Sequence, residues 1–264
     1  MTAAGAWWER FFDAEYARLW GDFASGDDEA RSLWRILDLG AGSKVLDAGC
    51  GFGRVSLPLA HFGASVLGVD QSAVLLEEAE RRRGDLGQER LRYLRHDLRA
   101  PLAESGFDVA LSLFSSLGYG TDNEDAAIVR TLSSALRPGG RVAVDTMHRD
   151  VLAAHRSREA NLAHRLPDGT LLIEEPQFDP VAGRVQTTWF WSGPGGSGTK
   201  SASIRVYTIT ELVRLIEGAG LRLQAALHPG SGAPFSASGP SMGGRVLLVA
   251  ERPQSGSGSQ AMNP

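Results

Sequence analysis

Between residues 44 and 145, short apolar runs alternate with stretches whose apolar positions recur at helical spacing. The runs Lys44–Asp47, Ser65–Asp70, Leu91–His96, Phe107–Leu113 and Arg141–Asp145 predict strands. Helices are predicted over Arg54–His61, Ala73–Arg83 and Asp122–Leu136. In the last of these, Ala126, Val129, Leu132 and Leu136 form the apolar stripe, and Thr121 with Glu124 makes a capping box at its start. Pro138-Gly139-Gly140 ends that helix and turns the chain into the fifth strand. Such alternation predicts parallel βαβ units.

The pattern changes after Asp145. His148 to Arg165 reads as moderately helical; Thr170–Phe178, Arg184–Ser192 and Ser201–Tyr207 then read as strands. They are separated by the turn-like Asp179-Pro180-Val181-Ala182-Gly183 and Gly193–Thr199, so an antiparallel meander inserted into the domain is predicted. Trp189 and Trp191 share one face of their strand while Phe190 takes the other, so at least one face must be covered. Helical spacing returns at Ile209, Leu212, Val213, Ile216 and Ala219, behind a second capping box of Thr208 and Glu211. Leu221–Leu227 and Arg245–Ala250 supply the last two strands. Between them His228–Gly244, rich in Gly, Pro and Ser, predicts a mobile loop, and the polar Pro253–Pro264 predicts a disordered tail.

Composition narrows the partners. With 42% apolar and 22% charged residues, the 264-residue chain has enough for one large α/β core plus a small insert. A net charge of −4 gives no general attraction to polyanions. The arginines 81, 82, 83, 90, 92, 95 and 99 cluster, but Glu77, Glu78, Glu80, Asp85 and Glu89 are interspersed, so a solvated mixed-charge face is expected and no nucleic-acid site. Cys50 is the single cysteine, which forbids an internal disulfide and fits a reducing, cytoplasmic setting. No run approaches the roughly 20 apolar residues of a membrane helix, so no membrane association is expected. The start, with Trp7-Trp8-Glu9-Arg10, is unlike a signal peptide, and no metal site is predicted.

The chemistry concentrates in Val45-Leu46-Asp47-Ala48-Gly49-Cys50-Gly51-Phe52-Gly53. Glycines at a strand-to-helix turn let the backbone approach a ligand that a Cβ would push away. Asp70, closing the next strand, stands where a carboxylate holds a ribose. A dinucleotide turn would need a third small residue where Arg54 stands, and Asp47 just before the glycines would repel a pyrophosphate. Asp47 attracts a cation instead. S-adenosylmethionine carries an ammonium and a sulfonium and no phosphate.

Four motifs in order, Asp47-Ala48-Gly49-Cys50-Gly51-Phe52-Gly53, Asp70-Gln71-Ser72, His96-Asp97-Leu98 and Leu136-Arg137-Pro138-Gly139-Gly140-Arg141, make the chain resemble the class I S-adenosylmethionine-dependent methyltransferases of bacterial small-molecule type. The resemblance covers Leu33 to Asp145 most closely. It implies a Rossmann-like α/β fold: a seven-stranded, mostly parallel sheet with helices on both faces, an N-terminal helical lid and an antiparallel β insert. The expected segments are the lid (1–43), the cofactor-binding core (44–145), a helical and β-meander insert acting as substrate wall or dimer surface (146–207), the last helix and strands of the core (208–252) and the tail (253–264). On this resemblance Asp47, Gly49 and Gly51 hold the aminoacyl end of the cofactor, and Asp70 holds the ribose hydroxyls with Gln71 against the adenine. Asp97 takes the adenine amino group, Leu98 gives a backbone contact, and Leu113 and Phe114 border the methionine portion and the reacting methyl. Cys50 is read as a small packed side chain.

Methyl transfer from a sulfonium is an in-line displacement with an activated leaving group, so proximity and exclusion of water carry most of the catalysis. A base matters only where the nucleophile must lose a proton. His148 is the candidate base, and Tyr119, after the fourth strand, is a second catalytic candidate and a substrate contact. Phe12, Tyr16 and Trp20 recur at helical spacing, so Tyr16 is expected to close over the cofactor and meet the substrate. Amino-methylating DNA enzymes of this fold carry an acidic or amide residue followed by Pro-Pro and an aromatic after the fourth strand, where this chain has Ser112-Leu113-Phe114-Ser115, so that class is disfavoured. The expected acceptor is an N, O or C atom of a small molecule, handled by a monomer or homodimer. Because no residue is compelled to act as a base, a non-catalytic S-adenosylmethionine-binding regulatory or assembly protein is the alternative.

Overall fold

Val45 and Leu46 point to opposite faces of the first strand, and each face meets its own cluster of buried side chains. The computed structural model describes residues 6–21, 26–150, 152, 161–235 and 244–254. One sheet holds seven strands: β1 (Lys44–Ala48), β2 (Ser65–Asp70), β3 (Leu91–Arg95), β4 (Phe107–Ser112), β5 (Leu136–Met147), β10 (Arg222–Leu227) and β11 (Arg245–Glu251). Their order is β10-β11-β5-β4-β1-β2-β3, and β11 alone runs against its neighbours β5 and β10.

Helices cover both faces. Ala30 and Leu33 of α3 (Asp27–Ile36) and Leu59 of α4 (Ser56–His61) pack on the Val45, Val66 and Leu111 face. Val129 and Leu132 of α6 (Asp122–Ala135) and Leu212 and Ile216 of α7 (Ile209–Gly218) pack on the Leu46, Leu67 and Val144 face. Each fully buried leucine contributes about 1.5–3 kcal/mol by leaving water. Both predicted capping boxes form, Thr121 with Glu124 and Thr208 with Glu211. The strand order reverses at β1, which pairs with both β2 and β4, and that reversal opens a crevice at the strands' carboxyl ends.

A second, antiparallel sheet joins β6 (Leu162–Arg165), β7 (Leu171–Asp179), β8 (Arg184–Gly193) and β9 (Gly196–Arg205). It has four strands where three were expected. Leu162–Arg165, read from sequence as the end of a helix, pairs with Leu171–Glu174 through a turn at Pro167-Asp168-Gly169, and residues 151 and 153–160 of the expected helix lie outside the described residues. The segment Gly193–Thr199, read as turn-like, is mostly strand, because Gly193 pairs with Gly196 across a two-residue turn and Gly198 lies under the Trp191 ring, which a side chain there would displace.

The N-terminal helical stretch breaks in two. Asp13 accepts the Tyr16 N–H at 3.0 Å and starts a new helix, so α1 (Trp7–Phe11) and α2 (Ala14–Trp20) are separate. Lys200 of β9 donates to the Phe11 carbonyl at 3.1 Å and pairs with the Asp13 carboxylate, while Ser72 donates to the Phe12 carbonyl at 2.8 Å. The aromatic side chains of α1 and α2 cover the Trp189 and Trp191 face of the second sheet; Phe190 on the other face is 41% exposed. Among the described residues no helix is long and apolar enough to cross a membrane. The predicted tail from residue 255 and the 236–243 part of the predicted loop lie outside the described residues.

Candidate active site

At the end of β1 the chain turns through Gly49, Gly51 and Gly53, all in the left-handed region. At Gly49, with φ of +81°, a Cβ would stand 2.5 Å from the Ser116 hydroxyl, so only glycine lets the loop after β4 lie directly on this turn. Asp47 sits beneath it, 3% exposed, and accepts the Ser56 hydroxyl at 2.5 Å. Burial pushes its carboxyl up to about 6 against the Ser56 hydrogen bond and the Arg54 charge. Asp70 closes β2, and its two oxygens accept the Gly51 N–H at 2.9 Å and the Ser72 N–H at 2.8 Å. Burial raises its pKa too, opposed by these backbone donors. The glycine turn and Asp70 are therefore one hydrogen-bonded unit, with lone pairs of the carboxylate left for a ligand.

Past β3, Asp97 is gripped by Arg99, whose Nη2 lies 2.7 Å from one oxygen and whose Nε reaches both at 3.0 Å. That guanidinium holds the Asp97 carboxyl below its usual range. Arg99 also donates to Glu124 at 2.6 Å and stands 5.7 Å from the Trp8 ring centroid, so it fastens this end of the site to α6 and to the lid. The Arg99 contact carries no signal in sequence beyond its nearness to Asp97.

After β4 two successive non-glycine residues, Phe114 (φ +56°) and Ser115 (φ +63°), adopt the left-handed region. Such backbone costs about 1–3 kcal/mol per residue and persists only where surroundings dictate it. Here Phe114 is 43% exposed, with the Arg54 and Arg245 guanidiniums 5.3 and 4.7 Å from its ring centroid. Arg54 in turn pairs with Glu29 at 2.5 Å. Further along the loop Tyr119 lies among Trp7, Trp8 and Phe12, with ring centroids 5.1, 6.3 and 5.4 Å away. Tyr16 of α2 stacks on Trp189 at 5.8 Å, which is how the second sheet backs the lid. Burial pushes both phenols well above the usual range, so each is a neutral hydrogen-bond donor.

These residues surround one cavity of about 840 Å³. Its lining brings together Asp47, Gly49, Gly51, Asp70, Gln71, Asp97, Leu98, Leu113, Phe114, Tyr16 and Tyr119, which are separated by up to a hundred positions in sequence. Arg54, which sequence reading used only to reject a dinucleotide turn, also lines it, as do Trp8, Ser72 and Arg99. Two of the expected elements stand outside the cavity. His148, the candidate base, does not line the cavity: it is 4% exposed, with its ring 5.4 Å from that of Phe235 and its backbone bridged to Tyr207. Burial lowers its pKa, as expected of a packed imidazole. Nor does the described part of the second sheet line the cavity; it supports the lid from behind.

Residues 45–140 match the model of a methyltransferase domain. Methyltransferase GfsG from Streptomyces halstedii is 34% identical over 123 residues, covering 46% of this chain and 43% of that protein. The chain spans about half the length of the curated relatives it matches. Among solved structures, the CcbJ methyltransferase from Streptomyces caelestis superposes with a TM-score of 0.77 at 22% identity, covering 92% of this chain and 98% of that one. CalS10, an amino pentose methyltransferase from Micromonospora echinaspora with S-adenosylmethionine bound, superposes at 0.68 with 20% identity over 91% and 97%. Residues 45–140 thus resemble a methyltransferase domain, and the fold of the chain is the Rossmann-like fold of the methyltransferases it superposes on.

Proposed function

We propose that the protein transfers a methyl group from S-adenosylmethionine to a small-molecule acceptor, with a nitrogen as the receiving atom. The carrying observation is the pair of carboxylates, Asp47 and Asp70, flanking a bare-backbone turn in one cavity, an arrangement that suits an ammonium and a ribose and rejects a diphosphate. When bound, S-adenosylmethionine supplies an electrophilic methyl on a sulfonium, open to in-line displacement. Asp47 receives the ammonium, Asp70 the ribose hydroxyls, and Gln71, Asp97 and Leu98 border the adenine. Tyr16, Trp8, Phe12 and Trp20 of the lid exclude water and leave the acceptor an aromatic wall.

Nitrogen is favoured by charge. Among the described residues the lining holds seven carboxylates against three guanidiniums, which draws an amine-bearing acceptor; once its ammonium has released a proton to solvent, the nitrogen lone pair attacks the methyl and the sulfonium leaves as a neutral thioether. The proteins of similar fold include an amino pentose methyltransferase, a sugar N-methyltransferase and a glycopeptide N-methyltransferase, which supports the same reading. Calorimetric titration with S-adenosylmethionine, followed by labelled-methyl transfer to a panel of small amines and phenols, tests both parts. Absence of cofactor binding removes the proposal; turnover with phenols alone moves the acceptor to oxygen.

A pH dependence follows from Asp47. With its carboxyl pushed up to about 6, the protonated form dominates below that pH and offers the ammonium no charge. Affinity for S-adenosylmethionine is expected to fall by up to about tenfold per pH unit below 6, and Asp47→Asn to flatten that slope near pH 6. Stability moves the other way. A carboxyl raised from 3.8 to about 6 binds a proton in the folded chain that the unfolded chain lacks, so its contribution to stability grows as pH falls from about 6 to 3.8 and is constant outside that window. Thermal melts of the ligand-free protein and of Asp47→Asn across this range check the sign.

A further inference from the structure

The loop from Leu113 to Gly120 lies on the glycine turn through Ser116, yet two arginines from outside the matched domain hold its two ends. At the first end Arg245 of β11 donates to the Ser115 hydroxyl at 3.1 Å and to the Asp145 carboxylate at 2.8 and 3.0 Å. Asp145 then receives the Ser115 N–H on its carbonyl at 3.0 Å and the Phe114 N–H on its carboxylate at 3.4 Å. These bonds trap the two left-handed residues and fix where the Phe114 ring stands. At the second end Arg184 of β8 donates to three consecutive carbonyls, Gly118 at 3.0 Å, Tyr119 at 2.9 Å and Gly120 at 3.1 Å, and to the Ser203 carbonyl at 2.7 Å. A guanidinium is suited to this task because it offers five donors in a rigid plane.

Resting on the cofactor reading above, we infer that Arg184 and Arg245 are positioning residues that clamp the 113–120 loop so that Phe114 and Tyr119 form the seat of the transferable methyl group. The second sheet thereby acts on the reaction without touching the cavity: Arg184 carries its influence into the loop. Neither arginine can be replaced by lysine without loss, since an ammonium lacks the separate nitrogens by which Arg184 also reaches the Gly120 carbonyl and the Ser203 hydroxyl, and cannot grip a carboxylate and a hydroxyl in a plane.

The test compares S-adenosylmethionine with S-adenosylhomocysteine, which differ only in the methyl group and its charge, so the ratio of their dissociation constants reports the surroundings of the methyl alone. In Arg184→Met, which strips four carbonyls and the Ser203 hydroxyl of a donor but breaks no ion pair with a carboxylate, and in Arg245→Lys, which keeps the charge, the ratio is expected to shift at least about fivefold against S-adenosylmethionine. The affinity for S-adenosylhomocysteine itself should stay within about threefold. Deuterium exchange is expected to quicken in a peptide covering 113–120 and to stay unchanged at 45–53. Equal weakening of both ligands, or an unchanged ratio, overturns the inference and leaves the arginines as scaffold. Should Arg184→Met fail to fold, Arg184→Lys is read by the same ratio. Failure of the wild-type protein to bind either ligand sinks the cofactor reading instead, and that outcome is visible before any variant is made.

Discussion

Replacing Asp70 with alanine is expected to weaken S-adenosylmethionine binding by more than about tenfold in calorimetric titration. Three losses combine. The ribose hydroxyls lose a charged acceptor, and charge-assisted hydrogen bonds are about twice as strong as neutral ones. The Gly51 and Ser72 N–H groups, 2.9 and 2.8 Å from the carboxylate, lose their acceptor as well, so the glycine turn keeps only the Gly49 and Cys50 N–H bonds to the Val69 carbonyl as its ties to β2. Ser72 also donates to the Phe12 carbonyl, which carries the disturbance into the lid. Asp70→Asn keeps one carbonyl oxygen and should fall between wild type and alanine. Unchanged affinity in Asp70→Ala would show that the ribose sits elsewhere.

Gly118→Ala is expected to destabilise the protein by about 2–4 kcal/mol, lowering the melting temperature by roughly 5–10 °C. Gly118 has φ of +96°, which a side chain adopts only with strain. A Cβ there would collide with the Arg205 carbonyl, and because that atom is backbone of β9 the strand itself must move. The Gly118 carbonyl accepts the Arg205 N–H at 2.7 Å and its N–H donates to Asp125 at 2.9 Å, so both sides of the residue are committed. This is the point at which the second sheet docks on the loop bearing Tyr119, and its loss should also loosen Tyr119. A melt within a degree of wild type would show that β9 does not rest on this loop.

Much of this architecture was legible because it rests on local rules. Capping boxes at Thr121 and Thr208 are set by three-residue spacings and both form. The inner strands β1, β2, β4 and β11 of the main sheet are apolar on both faces, and that signal survives any neighbour. Where local rules and neighbours disagree, neighbours win. Gly196–Gly198 have the composition of a turn but become strand because β8 supplies a pairing edge and Trp191 needs bare backbone beneath it. Asp13 interrupts an aromatic stripe that reads as one helix, because its carboxylate caps the next helix and pairs with Lys200, a residue 187 positions away.

The sequence by itself determined that Asp47, the glycine turn and Asp70 meet, since they sit on adjacent strand ends and their spacing encodes their meeting. It also determined the α/β core, through periodicities that each element expresses alone. Only the tertiary structure decided what forms the opposite wall of the cavity. Which candidate reaches the cavity depends on contacts across the chain: His148 is turned into packing with Phe235, while Arg54, Arg99, Arg184 and Arg245 find roles through partners on other elements. A long side chain's partner is chosen by folding geometry, and no spacing along the chain announces it.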